Sequence, residues 1–114
     1  MKLFDIEAIE GMKKVCSLKE GSPLKIYRIT YPRIWNGDDW HFHPQGYEYY
    51  IPLTGQITVL VESKEVIVCA GEMLCVYPGE KHRVVGGSSD QDTIVIRQEF
   101  LKNDKVIVEE KKND

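Results

Sequence analysis

One hundred and fourteen residues, 42% hydrophobic and 29% charged, have the composition of an ordinary folded domain rather than of a disordered or membrane-embedded chain. Fifteen Lys and Arg against eighteen Asp and Glu leave a formal charge of −3, spread without the basic stripe that nucleic-acid binding requires. A chain this long buries roughly 65% of its extended surface, so one domain over 1–114 is expected without metal or disulfide staples.

The opening MKLFDIEAIEG places Asp5 and Glu7 before any apolar run of useful length. Neither a secretory signal nor a membrane span is expected, and the cytoplasm is the expected compartment. Asp5 to Glu10 can form a short helical turn, capped by Asp5 and stopped at Gly11. Thereafter the helical period disappears and β-rich runs recur about every ten residues. They are LKIYRITY (24–31), YEYYIPL (47–53), QITVLVE (56–62), EVIVC (65–69), MLCVY (73–77), KHRVV (81–85), TIVIRQEF (93–100) and KVIVE (105–109).

Turn chemistry separates these runs: Asn36-Gly37-Asp38-Asp39, Thr54-Gly55, Ser63-Lys64, Ala70-Gly71, Pro78-Gly79 and Gly86-Gly87-Ser88-Ser89-Asp90. Ile57, Val59 and Val61 alternate with Gln56, Thr58, Leu60 and Glu62, the two-residue period of a half-buried strand. Pro52 cannot donate to a ladder and implies an edge or a bulge. Eight evenly spaced strands imply a sandwich or barrel with its core over about 24–100, followed by a charged tail that frays at 110–114. Tyr27, Tyr31 and Phe100 are read as core. Cys16, Cys69 and Cys75 are odd in number and form no CxxC pair, so free thiols are expected, with Cys69 and Cys75 as small core residues.

The chemistry concentrates in WHFHPQGYEYYIPLTG (40–55). On an extended strand residues two apart share a face at ~6.5–7 Å, so His41 and His43 project together and Phe42 projects away. Glu48 follows past Pro44 and Gly46, which permit a bend, and His82 arrives from the PGEKH turn (78–82). Three imidazoles and a carboxylate suit Mn, Fe, Co, Ni, Cu or Zn. An isolated HxH pair is more often a solvated strand feature than a ligand pair.

The surrounding punctuation resembles the cupin superfamily of small β-barrels. The first cupin motif runs Gly-x5-His-x-His-x(3 or 4)-Glu-x6-Gly, and His41, His43, Glu48 and Gly55 reproduce it from the first histidine onward. The second runs Gly-x5-Pro-x-Gly-x2-His-x3-Asn; Gly71, Gly79 and His82 keep its spacing, and fifteen residues separate Gly55 from Gly71. Trp35 stands where the opening glycine is expected, the proline comes one place late at Pro78, and Gly86 replaces the closing asparagine. These departures fall on turn residues, not on ligand types.

The resemblance implies an all-β, single-domain jelly-roll barrel of the small cupin-2 type, holding one divalent transition metal ion (Mn, Fe, Ni, Cu or Zn) on His41, His43, Glu48 and His82. Four protein ligands around an ion that favours six leave about two positions open. Tyr50, two residues after Glu48, should point inward beside that site. Trp40, Gln45 and Tyr47 fall near the open rim by sequence proximity. Arg97, a polar break in an apolar strand, is either a solvated outer-face residue, the commoner case, or a group that meets an anionic substrate. A small metal-dependent enzyme of dioxygenase, isomerase or decarboxylase type is the expected function, the alternative being a non-catalytic small-molecule or metal binding module. No second titratable group inside the motifs is an evident general base. The expected partners are a small-molecule ligand and a second copy of the chain in a homodimer, with no nucleic acid and no membrane.

Overall fold

The computed structural model describes residues 24–30, 40–98 and 105–108, together with the backbone of 11–17. Its elements are β1 (Gly11–Ser17), β2 (Leu24–Thr30), β3 (His41–Phe42), β4 (Glu48–Thr54), β5 (Gln56–Val61), β6 (Lys64–Cys69), β7 (Leu74–Val76), β8 (His82–Gly87), β9 (Asp92–Gln98) and β10 (Val106–Ile107). Among the described residues there is no helix, and the helical turn expected over 5–10 lies outside them. The strands form two five-stranded antiparallel sheets, β1-β2-β9-β4-β7 and β10-β3-β8-β5-β6.

Residues directly opposite one another on paired antiparallel strands share a face, so the register orders the interior of the first sheet into rows. Ile29, Thr93 and Pro52 form one row, Tyr27, Val95, Tyr50 and Leu74 the next, and Lys25, Arg97, Glu48 and Val76 the third. Burial confirms the face: Ile29, Thr93, Pro52, Val95, Tyr50 and Val76 are all buried. The second sheet answers with Ile57, Val59, Val68 and Val84, so β-branched side chains from both sheets make one core. Full burial of each such side chain stabilises the fold by about 1.5–3 kcal/mol.

Alternation in 56–62 is as the sequence implies: Ile57 and Val59 are buried, and Gln56 is exposed. Pro52 also behaves as implied. Pairing with β7 ends at Tyr50, and the register against β9 shifts between Pro52 and Thr54.

Three expectations change. The strand over 11–17 carried no readable signal, because a register shift between Lys14 and Cys16 breaks its two-residue period. β8 runs on through Gly86 and Gly87, which look like loop residues but pair with Thr58 and Ile57 beyond another register shift. Cys69 and Cys75 are free but are not core residues. Cys69 is exposed and Cys75 half-buried, because each lies one step out of phase with the inward positions Val68 and Val76.

Candidate metal centre

Three strands and one loop deliver the expected ligand types to one place. His41 on β3 pairs directly with His82 on β8, so both point the same way from the second sheet. Glu48 opens β4 on the facing sheet, and His43 lies in the loop between β3 and β4. That loop is tied to the next motif by the Gly79 N–H, which donates to the His43 carbonyl at 2.9 Å.

The second motif is built as a tight turn. The Glu80 N–H donates to the Tyr77 carbonyl at 3.1 Å, and the Tyr77 N–H donates to a Glu80 carboxylate oxygen at 2.7 Å. Pro78 and Gly79 occupy the two central positions, and Gly79 has φ +84°. A type II turn asks for that order, Pro first and a left-handed residue second. The displaced proline therefore preserves the turn that launches His82.

His41, His43, Glu48 and His82 are all buried, His82 completely, and their ligand atoms lie within 4.8 Å of one another. Ligands on opposite sides of an ion at ~2.0–2.2 Å are about 4.0–4.4 Å apart, so this cluster is within a few tenths of an ångström of coordination size. The imidazole rings pack at centroid separations of 5.0 Å for His41–His43, 4.3 Å for His41–His82 and 5.5 Å for His43–His82.

Hydrogen-bond chemistry adds a sharper test. The Glu80 carbonyl is 2.9 Å from His82 Nδ1, and a carbonyl can only accept, so a neutral His82 carries its proton on Nδ1. Its Nε2 lone pair then faces Glu48 Oε1 at 3.1 Å, acceptor against acceptor. His43 Nε2 lies 3.0 Å from the other carboxylate oxygen, Oε2. A buried arrangement of this kind needs a cation between its acceptors, either a proton on the ring or a metal ion. Three nitrogens and one carboxylate oxygen fit the metal. Burial alone would push the Glu48 carboxyl up, but where the rings carry the proton, hydrogen bonds and charge from His43 and His82 overcome this and hold it well below the usual carboxylate range.

Tyr50 points inward as its spacing from Glu48 requires, and its hydroxyl donates to Glu48 Oε1. Trp40 and Tyr47 each sit one residue before an inward side chain and so turn outward. The Trp40 ring lies 5.9 Å from the Arg83 guanidinium, between whose neighbours His82 and Val84 the barrel interior begins. Tyr47 stacks beside Tyr49 and edge-on to Tyr77 at the surface. Gln45 is exposed. Arg97 is not on the outer face: it follows Thr93 and Val95 on the inner face of β9 and is the register partner of Glu48. A groove of about 420 Å³ opens where β6 and β7 part, between Val66 and Leu74, and none of the four cluster residues lines it.

A family model described as the cupin domain matches residues 28–96, and the chain belongs to that family. Among solved structures it is similar to Pac13 of Streptomyces, described as a nucleoside dehydratase, with TM-score 0.71 and 15% identity over 95% of this chain and 91% of that one. It is similar to KdgF from Halomonas, with TM-score 0.62 and 15% identity over 82% of this chain and 80% of that one. A cupin protein from Bacteroides fragilis gives TM-score 0.62 and 17% identity over 87% and 86%. At these identities the likeness establishes a shared fold. No curated protein matches the chain by sequence. No helix among the described residues is long and apolar enough to cross a membrane.

Proposed function

We propose that this cupin is a metal-dependent enzyme acting on a small molecule, with His41, His43, Glu48 and His82 as the ligands of one divalent transition ion. The observation that carries this reading is the buried meeting of His43 Nε2 and His82 Nε2 with the two Glu48 carboxylate oxygens at 3.0–3.1 Å, an arrangement that a cation resolves. A bound ion would supply Lewis acidity for polarising a carbonyl or activating oxygen or water, the chemistry of dioxygenase, isomerase and decarboxylase reactions.

The protein's own groups prepare the site for that work. The Glu80 carbonyl fixes the His82 tautomer, and the Tyr50 hydroxyl, by donating its one proton to Oε1, fixes the Glu48 carboxylate. Burial of all four ligands excludes bulk water. The site sits in one domain that works in the cytoplasm as a homodimer. For the dimer the supporting feature is the outward face of the first sheet, where Ile26, Ile96, Tyr49 and Cys75 form one row and Arg28, Ile94 and Ile51 the next.

Turnover tests the enzymatic part. Protein reconstituted in turn with Mn(II), Fe(II), Ni(II), Cu(II) and Zn(II) is offered catechols, diketones, 2-oxo acids and their hydroxy analogues, with oxygen uptake and product formation followed. Metal-dependent conversion of one class is expected. Saturable binding without conversion of any would make the protein a binding module instead.

A further inference from the structure

The inner row that carries Glu48 continues through Arg97 to Lys25. Two cationic side chains thus share one face of the interior with a single carboxylate, in a row where Val76 at the far end is buried. On antiparallel partners the Cα atoms are about 4.5–5.5 Å apart, so Arg97 stands one strand away from the metal cluster. Its guanidinium is held in place: Nη2 donates to the Tyr27 hydroxyl at 3.1 Å, and the guanidinium carbon lies 5.5 Å from the centre of the Tyr27 ring. A phenol that accepts one hydrogen bond still has its own proton to donate.

Charge makes this corner more than packing. An ion of charge two on His41, His43, Glu48 and His82 is offset only once, by Glu48, and the same row adds Arg97 and Lys25. A half-buried wall of net positive charge draws ligands of the other sign. A planar guanidinium fork fits a carboxylate in particular, and a phenolic O–H beside it fits the same oxygen pair.

We propose that Arg97 and Tyr27 are the specificity-determining residues of the site, binding the carboxylate of a small organic acid whose neighbouring oxygen faces the metal cluster, with Lys25 adding attraction at longer range. This rests on the metal-enzyme reading for the position of the neighbouring oxygen, and on the geometry of β2 and β9 alone for the carboxylate. The substrate class is therefore a carboxylic acid carrying an oxygen function next to the carboxylate, such as a 2-oxo or 2-hydroxy acid.

Pyruvate and its uncharged analogue pyruvamide serve as probes, each titrated calorimetrically into metal-loaded and chelator-treated protein. Wild type is expected to bind pyruvate at least about tenfold more tightly than pyruvamide. Arg97→Gln should remove that preference while leaving pyruvamide binding and metal content unchanged, Arg97→Lys should keep part of it, and Tyr27→Phe should weaken pyruvate about three- to tenfold. Tyr27→Phe keeps the ring, so it serves as the readout if Arg97→Gln does not fold. Equal affinities for the two probes, no pyruvate binding, or an unchanged preference in Arg97→Gln and Tyr27→Phe would overturn the assignment. If the protein holds no metal yet the preference persists in chelator-treated protein and falls in Arg97→Gln, the carboxylate site stands and the metal reading fails.

Discussion

Gly55, the last residue of the first motif, shows why a residue far from any ligand belongs to the pattern. It has φ +67°, and a Cβ there would lie 2.4 Å from Ser88 Oγ, 2.6 Å from Asp90 Oδ1 and 2.9 Å from the Gln91 Cα. Gly79 has a similar φ of +84°, but a Cβ on it would meet nothing within 4 Å. The two therefore separate conformational strain from collision. Gly79→Ala is expected to lose about 1–2 kcal/mol, the cost of a left-handed residue with a side chain. Gly55→Ala adds a backbone collision that no rotamer relieves and should lose about twice as much, read as the difference in urea midpoints at unchanged m. Equal losses at the two positions would mean that the Ser88–Gln91 loop yields freely.

At the scale of elements, the strands and ligands were legible for one reason and the pocket wall was opaque for another. His41, His43, Glu48 and His82 could be read because motif spacing is local and the turns that enforce it, Pro78-Gly79 among them, are written in Gly and Pro. Ile57 and Val59 could be read because a two-residue period survives wherever a strand is regular. That period is lost at register shifts, which is why β1 was silent and why β8 ran past its expected end. Nearness in sequence puts Trp40 and Tyr47 near the open rim, and alternation turns the residue before an inward side chain outward. Tyr27 packs against the core as expected, but its meeting with Arg97 is written in no local pattern. Which face of β9 is inward depends on its pairing with β2 and β4, seventy and forty-nine positions away in the chain from Tyr27 to Arg97 and from Glu48 to Arg97 respectively, or nearer in space than any single-strand pattern reveals.

For the whole molecule, two sheets close over one β-branched core and leave the outward rows of the first sheet, Ile26, Ile96, Tyr49 and Cys75 with Arg28, Ile94 and Ile51, only half-covered by the chain itself. A homodimer through that face should give twice the chain mass of 13.1 kDa by light scattering. Ile96→Glu, which places a charge at the centre of the face, should return the monomer with the fold intact. A wild-type monomer would remove this surface from the assembly, while an Ile96→Glu dimer would move the interface elsewhere.

Whether the facing sheets hold a metal ion on His41, His43, Glu48 and His82 is decided by metal content. Elemental analysis of the purified and reconstituted protein should find about one transition-metal equivalent per chain. His43→Ala should lower metal affinity by about tenfold or more while its circular dichroism stays that of the wild type. Less than about a tenth of an equivalent in the reconstituted wild type, or undiminished metal in His43→Ala, would contradict the metal reading.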